Sequence, residues 1–500
     1  MLLTMNRIFL SAFAAFLVLL QGCSNVPEPA AFGPVPNENQ LKVMDMETYA
    51  FLHYSLNTYT DEEWGYGNED PAIFNPASLD ARQWAKACKD AGMKGIIFTA
   101  KHHCGFCMWP SAFTEYSVKN SPWKNGQGDV VREIAEACRE EGLEFAVYLS
   151  PWDRNHAGYA TDEYVEYFRN QLRELLSNYG EMFEVWFDGA NGGNGWYGGA
   201  DETRKIAPGY YGWDKTFALV RELQPGICIW GDHSSGADLR WCGTEAGFIG
   251  DPDWSLLKKD GNCTIDMRLH GVEDGDMWIT AESDVSIRPG WFYHESEDNA
   301  VKDVAKLMDI YYKTVGRNGT LILNFPITPD GLIHPTDCAN GAAFKAMVDE
   351  VFSVNLAEGA KATASNVRGN SKKYSAVCVT DNNPETYWAT DDDVTSASVE
   401  IDFGKDVSFN RFMAQEYVKK GQRVRDFDLE AFVNGEWIKL ADELCENADG
   451  LTTIGRKRII CFPEITSSKL RFTVVDSKAC PLISNIGVYH APEIKKKRYE

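Results

Sequence analysis

Glu184-Val185-Trp186-Phe187-Asp188-Gly189 is an apolar run that ends in an acid and then a glycine. Read as a buried strand, it puts one carboxylate at the floor of a pocket. The glycine lets the chain turn away sharply and leaves space beside the acid. A carboxyl so placed can serve as one of the two that flank the anomeric carbon when a glycoside is hydrolysed. In the retaining version one attacks, and the other first protonates the leaving oxygen and then activates water, the two lying about 5–5.5 Å apart. Glu245, within Arg240-Trp241-Cys242-Gly243-Thr244-Glu245-Ala246-Gly247, is the best second acid, because the small residues around it leave room for a leaving group. With 73 acids in the chain, spacing alone selects no pair, and an isolated acid is more often a helix cap or a surface charge.

Lys101-His102-His103-Cys104-Gly105-Phe106-Cys107-Met108-Trp109 is a second reactive cluster. Cys104 and Cys107 have zinc-ligand spacing, but no second Cys/His pair with suitable spacing accompanies them. The competing reading is neutral histidines hydrogen-bonding to hydroxyl groups in a pocket. Adjacent residues of a regular strand face opposite ways, so both histidines face inward only if the chain bends after the strand.

These residues need a scaffold. From Leu41 to Val354 short apolar runs alternate with helical patterns. The strand candidates are Tyr49–Tyr54, Gly95–Ala100, Glu144–Leu149, Phe183–Asp188, Ile227–Trp230, Met277–Ala281 and Leu321–Asn324, as expected of strands buried on both faces. Between them, Tyr164, Phe168, Leu172, Leu175, Leu176 and Tyr179 recur at helical spacing. Asp80–Gly92 and Asp129–Gly142 begin with a capping Asp and end at Gly. Repeated β-then-α units predict an α/β fold, a (β/α)₈ barrel, with a doubly wound open sheet as runner-up. In such a barrel the βα loops carry the chemistry. His102, His103, Tyr148 and Asp188 would then all sit at one rim.

Beyond Asn355 helical periodicity gives way to short alternating segments: Ser398–Phe403, Arg411–Glu416, Asp428–Phe432, Arg458–Phe462 and Lys469–Val475. Turns such as Asn434-Gly435 separate them, which predicts a β-sandwich. At the other end, Arg7 precedes an apolar stretch from Ile8 to Leu20, too short to span a bilayer comfortably, followed by Leu20-Gln21-Gly22-Cys23. This pattern is similar to a bacterial lipoprotein signal, in which Cys23 is lipidated and anchors the protein to a membrane; an ordinary signal peptide is the alternative. The expected layout is a signal peptide over 1–22, a tether over 23–40, a barrel over 41–354 and a sandwich over 355–492. Cys88, Cys138 and Cys228 fall on apolar faces and read as buried small hydrophobes. A net charge of −24 argues against nucleic acid as a partner. The 12% aromatic content suits a sugar-binding protein or an aromatic-rich core equally.

Four segments, in order, resemble glycoside hydrolase family 29, the α-L-fucosidases: Phe51-Leu52-His53-Tyr54, Lys101-His102-His103, Val185-Trp186-Phe187-Asp188-Gly189, and Val315 to Asn324. The match runs, with gaps, over residues 45 to 340. The resemblance implies Asp188 as nucleophile and His53, His102 and His103 as fucose-binding histidines. It also implies that Glu63 and Trp64 hold sugar hydroxyls and that Tyr148, Trp186 and Trp291 line the pocket. Trp-x-Gly-x-Glu-x-Gly around Glu245 is similar to the subgroup that cleaves α-1,3 and α-1,4 fucose from branched, Lewis-type glycans. Thr244 stands where that subgroup usually has Asn, and Cys104 where the family usually has Asp. Asn355-Leu356-Ala357 through Ser365, with Val379-Thr380-Asp381-Asn382-Asn383-Pro384 and Tyr387-Trp388-Ala389, looks like the start of a discoidin-like (F5/8 type C) module. Many such modules bind galactose-type sugars, often with a structural calcium near such an Asp-Asn-Asn turn. The implied catalysis needs no cofactor and no catalytic metal, and its partners are fucosylated oligosaccharides. The rival expectations are a surface glycan-binding lipoprotein with an inactive barrel and an exo-glycosidase for a related sugar such as an α-L-galactoside.

Overall fold

A computed structural model describes residues 26–189, 191–231, 236–259, 263–444 and 450–493. The expected signal peptide and Cys23 lie outside these residues. Among the described residues no helix is long and apolar enough to cross a membrane.

Eight parallel strands form the first sheet: β1 Thr48–Leu52, β2 Gly95–Lys101, β3 Glu144–Leu149, β4 Glu184–Trp186, β5 Cys228–Ile229, β6 Leu239–Trp241, β7 Thr280–Ser286 and β8 Thr320–Asn324. Their spatial order is β5-β4-β3-β2-β1-β8-β7-β6. A single parallel bridge between Trp230 and Leu239 joins the two ends into a barrel. All five residues of β1, all seven of β2 and all seven of β7 are buried, which is why these strands read as continuous runs. Tyr49, Phe51, Ile97, Tyr148, Trp186, Trp230 and Ile322 fill the interior.

The helices are laid out as their caps dictate. The Asp80 carboxylate accepts from the backbone N–H groups of Arg82 and Gln83 at the start of Ala81–Asp90. Asp129 accepts from Arg132 at the start of Val130–Glu141, which ends on Gly142 in the left-handed region. Asp162–Asn178 buries Tyr164, Phe168, Leu172, Leu175 and Leu176 against the barrel.

Two strand expectations need correction. Met277–Ala281 is displaced: Met277 and Trp278 pair with Leu256–Leu257 in a separate ribbon, and the barrel strand is Thr280–Ser286. Leu239–Trp241 was not expected, because it is three residues long with Arg240 at its centre. Arg240 is tolerated there because its guanidinium is buried against Asp253 at 2.6 Å.

The C-terminal module is an antiparallel sandwich around its own core, which includes Trp388, Phe409, Phe412, Phe427, Phe472 and Ile486. Two pairs of expected short strands are halves of long, irregular ones, Ala397–Glu416 and Arg458–Ser477. Their register shifts between Asp402 and Val407 and between Phe409 and Arg411, which masked the continuity in the sequence. Asn434 and Gly435, both at positive φ, close the hairpin from Val424–Val433 to Glu436–Lys439. Barrel and module are fastened together. Asn318, in the loop before β8, donates to Asp253 and Ser255 and accepts from the backbone N–H of Arg456. Arg458 pairs with Asp251 at 2.6 Å.

The expected tether differs as well. Residues 26–34 lie along the module: Arg368 donates to Pro27 O, Arg423 to Ala30 O, and Phe32 N–H to Lys420 O. The chain then enters the helix Glu38–Met46, capped by Asn37.

Candidate active site

The barrel brings the expected site residues to the C-terminal ends of its strands. Beyond β1 stands His53, buried, with Nδ1 2.9 Å from Asn324 Oδ1 at the end of β8. β2 ends at Lys101 and the chain turns at once, with Gly105 N–H donating to His102 O. That turn supplies the bend the sequence required. The two histidine rings lie 4.1 Å apart, and both look into the site. His103 Nδ1 is 2.7 Å from Ser150 Oγ, and its Nε2 is 3.9 Å from Asp188 Oδ2. Among the described residues His102 Nδ1 is buried without a hydrogen-bond partner.

Burial fixes the protonation of these imidazoles. Desolvation pushes His53 down to about 4 and His103 to about 3, and it lowers His102 as well. At neutral pH all three are uncharged, each able to donate from one ring nitrogen and accept at the other.

Asp188 projects just past β4. Its side chain is 46% exposed, and Tyr148 O–H donates to its Oδ2 at 3.0 Å. Gly189 follows at φ 75°, where a Cβ would overlap the His103 ring. Glycine is therefore required by both backbone and space. Trp186, one step below, stacks on Trp230 at 4.0 Å and donates Nε1–H to Glu282 at 3.1 Å.

Glu245, from the loop after β6, receives Trp291 Nε1–H at 3.0 Å. Desolvation raises its pKa, the indole hydrogen bond opposes this, and the Asp188 and Glu63 charges raise it further. Glu63 itself is occupied: it accepts the backbone N–H groups of Trp291 and Phe292 and lies 2.8 Å from His294 Nε2. Its carboxylate thereby holds the loop that carries Trp291. Trp64 is 57% exposed and meets His103 and Trp152 edge-on.

On the other side of Asp188 a cleft of about 740 Å³ opens, lined by Phe187, Tyr210, Tyr211, Trp213, Phe217 and Arg268 among others. The zinc-like spacing has another explanation. Cys104 lies 3.7 Å from Ser55 Oγ, and Cys107 accepts from Gln171 Nε2 at 3.2 Å. Burial pushes the Cys104 thiol up to about 12. Among the described residues no group of three or more His, Cys, Asp or Glu side chains is placed to hold a metal ion. In the module, Asp381 spends its carboxylate on Asn383 N–H and the Thr386 hydroxyl. The departures from the family pattern have local roles: Cys104 packs beneath Gly65, and Thr244 Oγ1 accepts from Ala246 N–H.

Sequence reasoning missed a third carboxyl. Asp284 on β7 is buried, accepts Trp241 Nε1–H at 2.9 Å, and is raised by burial and by the Glu245 and Asp188 charges. The signal was present: Thr280, Glu282, Asp284 and Ser286 alternate along one face of β7. The alternation lies mostly beyond Ala281, where the expected strand ends.

The family model for α-L-fucosidase matches residues 35–340, and that for the F5/8 type C domain matches residues 361–486. The chain belongs to the α-L-fucosidase family, glycoside hydrolase family 29. It is 40% identical to Alpha-L-fucosidase 1 of Arabidopsis thaliana over 93% of this chain and 89% of that one. Among solved structures, a glycoside hydrolase 29 family member from an unknown rumen bacterium is similar at 61% identity and TM-score 0.85, over 94% of this chain and 80% of the other. A Ruminococcus gnavus GH29 fucosidase in complex with fucose is similar at 34% identity and TM-score 0.83, over 94% and 98%. The chain is thus an α-L-fucosidase, a glycoside hydrolase, followed by a discoidin-like module.

Proposed function

We propose that this fucosidase releases terminal α-1,3- and α-1,4-linked L-fucose from branched, Lewis-type glycans with retention of configuration. The observation that carries the reading is the unlike environment of two carboxyls at one rim. Asp188 accepts the Tyr148 hydroxyl, and Glu245, at the open rim, accepts the Trp291 indole N–H and is raised by partial desolvation and by the Asp188 and Glu63 charges. Pairs whose surroundings push them apart divide into nucleophile and acid. Glu245 gives its proton to the glycosidic oxygen as Asp188 Oδ bonds to C1 and the C1–O bond to the leaving sugar breaks. Glu245, now a carboxylate, takes a proton from water, whose oxygen bonds to C1 and releases Asp188. The neutral His53, His102 and His103 offer donors and acceptors to the fucose hydroxyls, and Trp64 and Trp291 offer ring faces. The cleft lined by Tyr210, Trp213 and Arg268 has room for the branched leaving group. The Trp241-x-Gly243-x-Glu245-x-Gly247 pattern supports the linkage.

The experiment measures fucose release from a Lewis-type oligosaccharide beside an aryl α-L-fucoside. Release from the branched glycan supports the reading, and release from the aryl fucoside alone discards the linkage. Asp188→Ala should lower turnover by about 10³-fold or more with the fold intact, the scale on which one catalytic group is felt. Full activity in that variant overturns the role of Asp188.

We further infer, from Ile8 to Leu20 and Leu20-Gln21-Gly22-Cys23, that the enzyme is exported and anchored through a lipid on Cys23. Incorporation of labelled palmitate that persists in Cys23→Ala would discard the anchor.

A further inference from the structure

Trp64 is the most exposed ring of the candidate sugar pocket, so packing alone does not hold it, and something else must set its angle. Its loop leads to Arg154, which is 5% exposed. Arg154 Nη1 donates to Gly65 O at 2.6 Å and to Trp64 O at 3.2 Å. Nε and Nη2 of the same guanidinium donate to Asn194 O at 2.9 Å and Asn194 Oδ1 at 3.2 Å. Asn194 lies in the loop after β4, six residues past Asp188. The Arg154 main chain adds two more ties: its N–H donates to His103 O at 2.9 Å, and its carbonyl accepts from Tyr197 N–H at 2.8 Å. The guanidinium also lies over the Tyr66 and Trp152 rings, at 4.9 and 5.2 Å.

We infer that Arg154 is a positioning residue: its guanidinium joins the loops after β1 and β4, so that Trp64 and the turn beyond Asp188 close on the sugar as one wall. All four of these hydrogen bonds go to neutral oxygens, and all four acceptors belong to the two loops that border the pocket. Arg154's planar fork reaches both loops at once; a lysine ammonium on its flexible stem cannot reproduce that arrangement. The charge has a second consequence, since it helps to hold His103 in its neutral form.

The inference rests on the reading that fucose occupies this pocket, and the test separates the two. KM and kcat on an aryl α-L-fucoside, and the Kd of L-fucose, are measured for the wild type, Arg154→Lys, Trp64→Ala and the double variant. Arg154→Lys should raise KM and the fucose Kd together by about tenfold, the worth of one hydrogen bond to a charged group, with kcat within about threefold. In the Trp64→Ala background the same substitution should cost less than half as much on a logarithmic scale, because the ring it positions is gone. A lowered Tm with KM and Kd unchanged overturns the inference, and so does a full penalty in the double variant. Should Arg154→Lys fail to fold, Asn194→Ala removes one acceptor of the same fork. It should raise KM and Kd by about two- to threefold, and no change overturns the inference. A wild type that neither binds nor releases fucose overturns the functional reading instead.

Discussion

Trp291 donates its indole N–H to Glu245 Oε2 at 3.0 Å while Glu63 grips the Trp291 backbone, so a residue from the loop after β1 sets the environment of an acid on the loop after β6. A hydrogen bond to a carboxylate favours its charged form. The indole therefore keeps Glu245 more acidic than desolvation and the Asp188 charge alone would make it. A general acid must be protonated to act, so activity is lost as pH rises through its pKa. Trp291→Phe should move the alkaline limb of kcat/KM to higher pH and lower the plateau by about tenfold, the cost of one charge-assisted hydrogen bond. An unmoved limb would show that Glu245 is not the group that titrates.

Gly189 and His103 occupy one space. Alanine at 189 would have to adopt a left-handed φ of 75° and place its Cβ into the His103 ring. Gly189→Ala should raise the KM for fucosides more than tenfold and lower Tm by several degrees, from about 1–3 kcal/mol of strain. A crystal structure of the variant with an unmoved His103 and unchanged KM would remove this account.

Much of this was legible in the sequence for a physical reason. The strands β1 to β4 carry mostly apolar runs because both faces are buried, and the caps Asp80 and Asp129 announce their helices. Asp188 was visible because an acid terminates such a run. What stayed hidden was carried by residues whose partners are remote in sequence. Arg240 interrupts β6 and is explained only by Asp253. Asp284 needs the register of β7. Arg154 is an ordinary surface-prone arginine until the loops after β1 and β4 are seen to converge on it. Val315 to Asn324 signalled the family, yet within it Arg317 and Asn318 serve the barrel–module junction, while only Asn324 touches the site.

The histidines make an acid prediction. His53 is held at about 4 and His103 at about 3, against an ordinary 6.5 in the unfolded chain. A depressed pKa contributes stability that is present above the unfolded value and is lost as pH falls towards the folded one. Holding His53 at about 4 corresponds to about 3 kcal/mol, lost progressively between pH 6.5 and 4. His53→Asn should flatten the fall of Tm across that interval, as measured by thermal unfolding at half-unit pH steps. An identical slope in the variant would show that His53 does not drive it.

The junction between barrel and module turns on Asp253, which binds the Arg240 guanidinium at 2.6 Å and receives Asn318 Nδ2–H at 2.9 Å. Both members of the ion pair are buried, so neither can be solvated once the other is removed. Burial also raises Asp253 to about 6 despite Arg240, a sign that desolvation weighs heavily on this carboxylate. Asp253→Ala leaves the arginine buried and unpaired and should cost about 3–5 kcal/mol. Replacing both partners, as in Arg240→Met with Asp253→Leu, should restore most of that loss, because an apolar pair of similar volume leaves no charge stranded. Chemical unfolding of the two variants beside the wild type decides the matter. Equal destabilisation in the single and double variants would mean that the Asn318 hydrogen bond, and not the stranded guanidinium, is what the junction cannot lose.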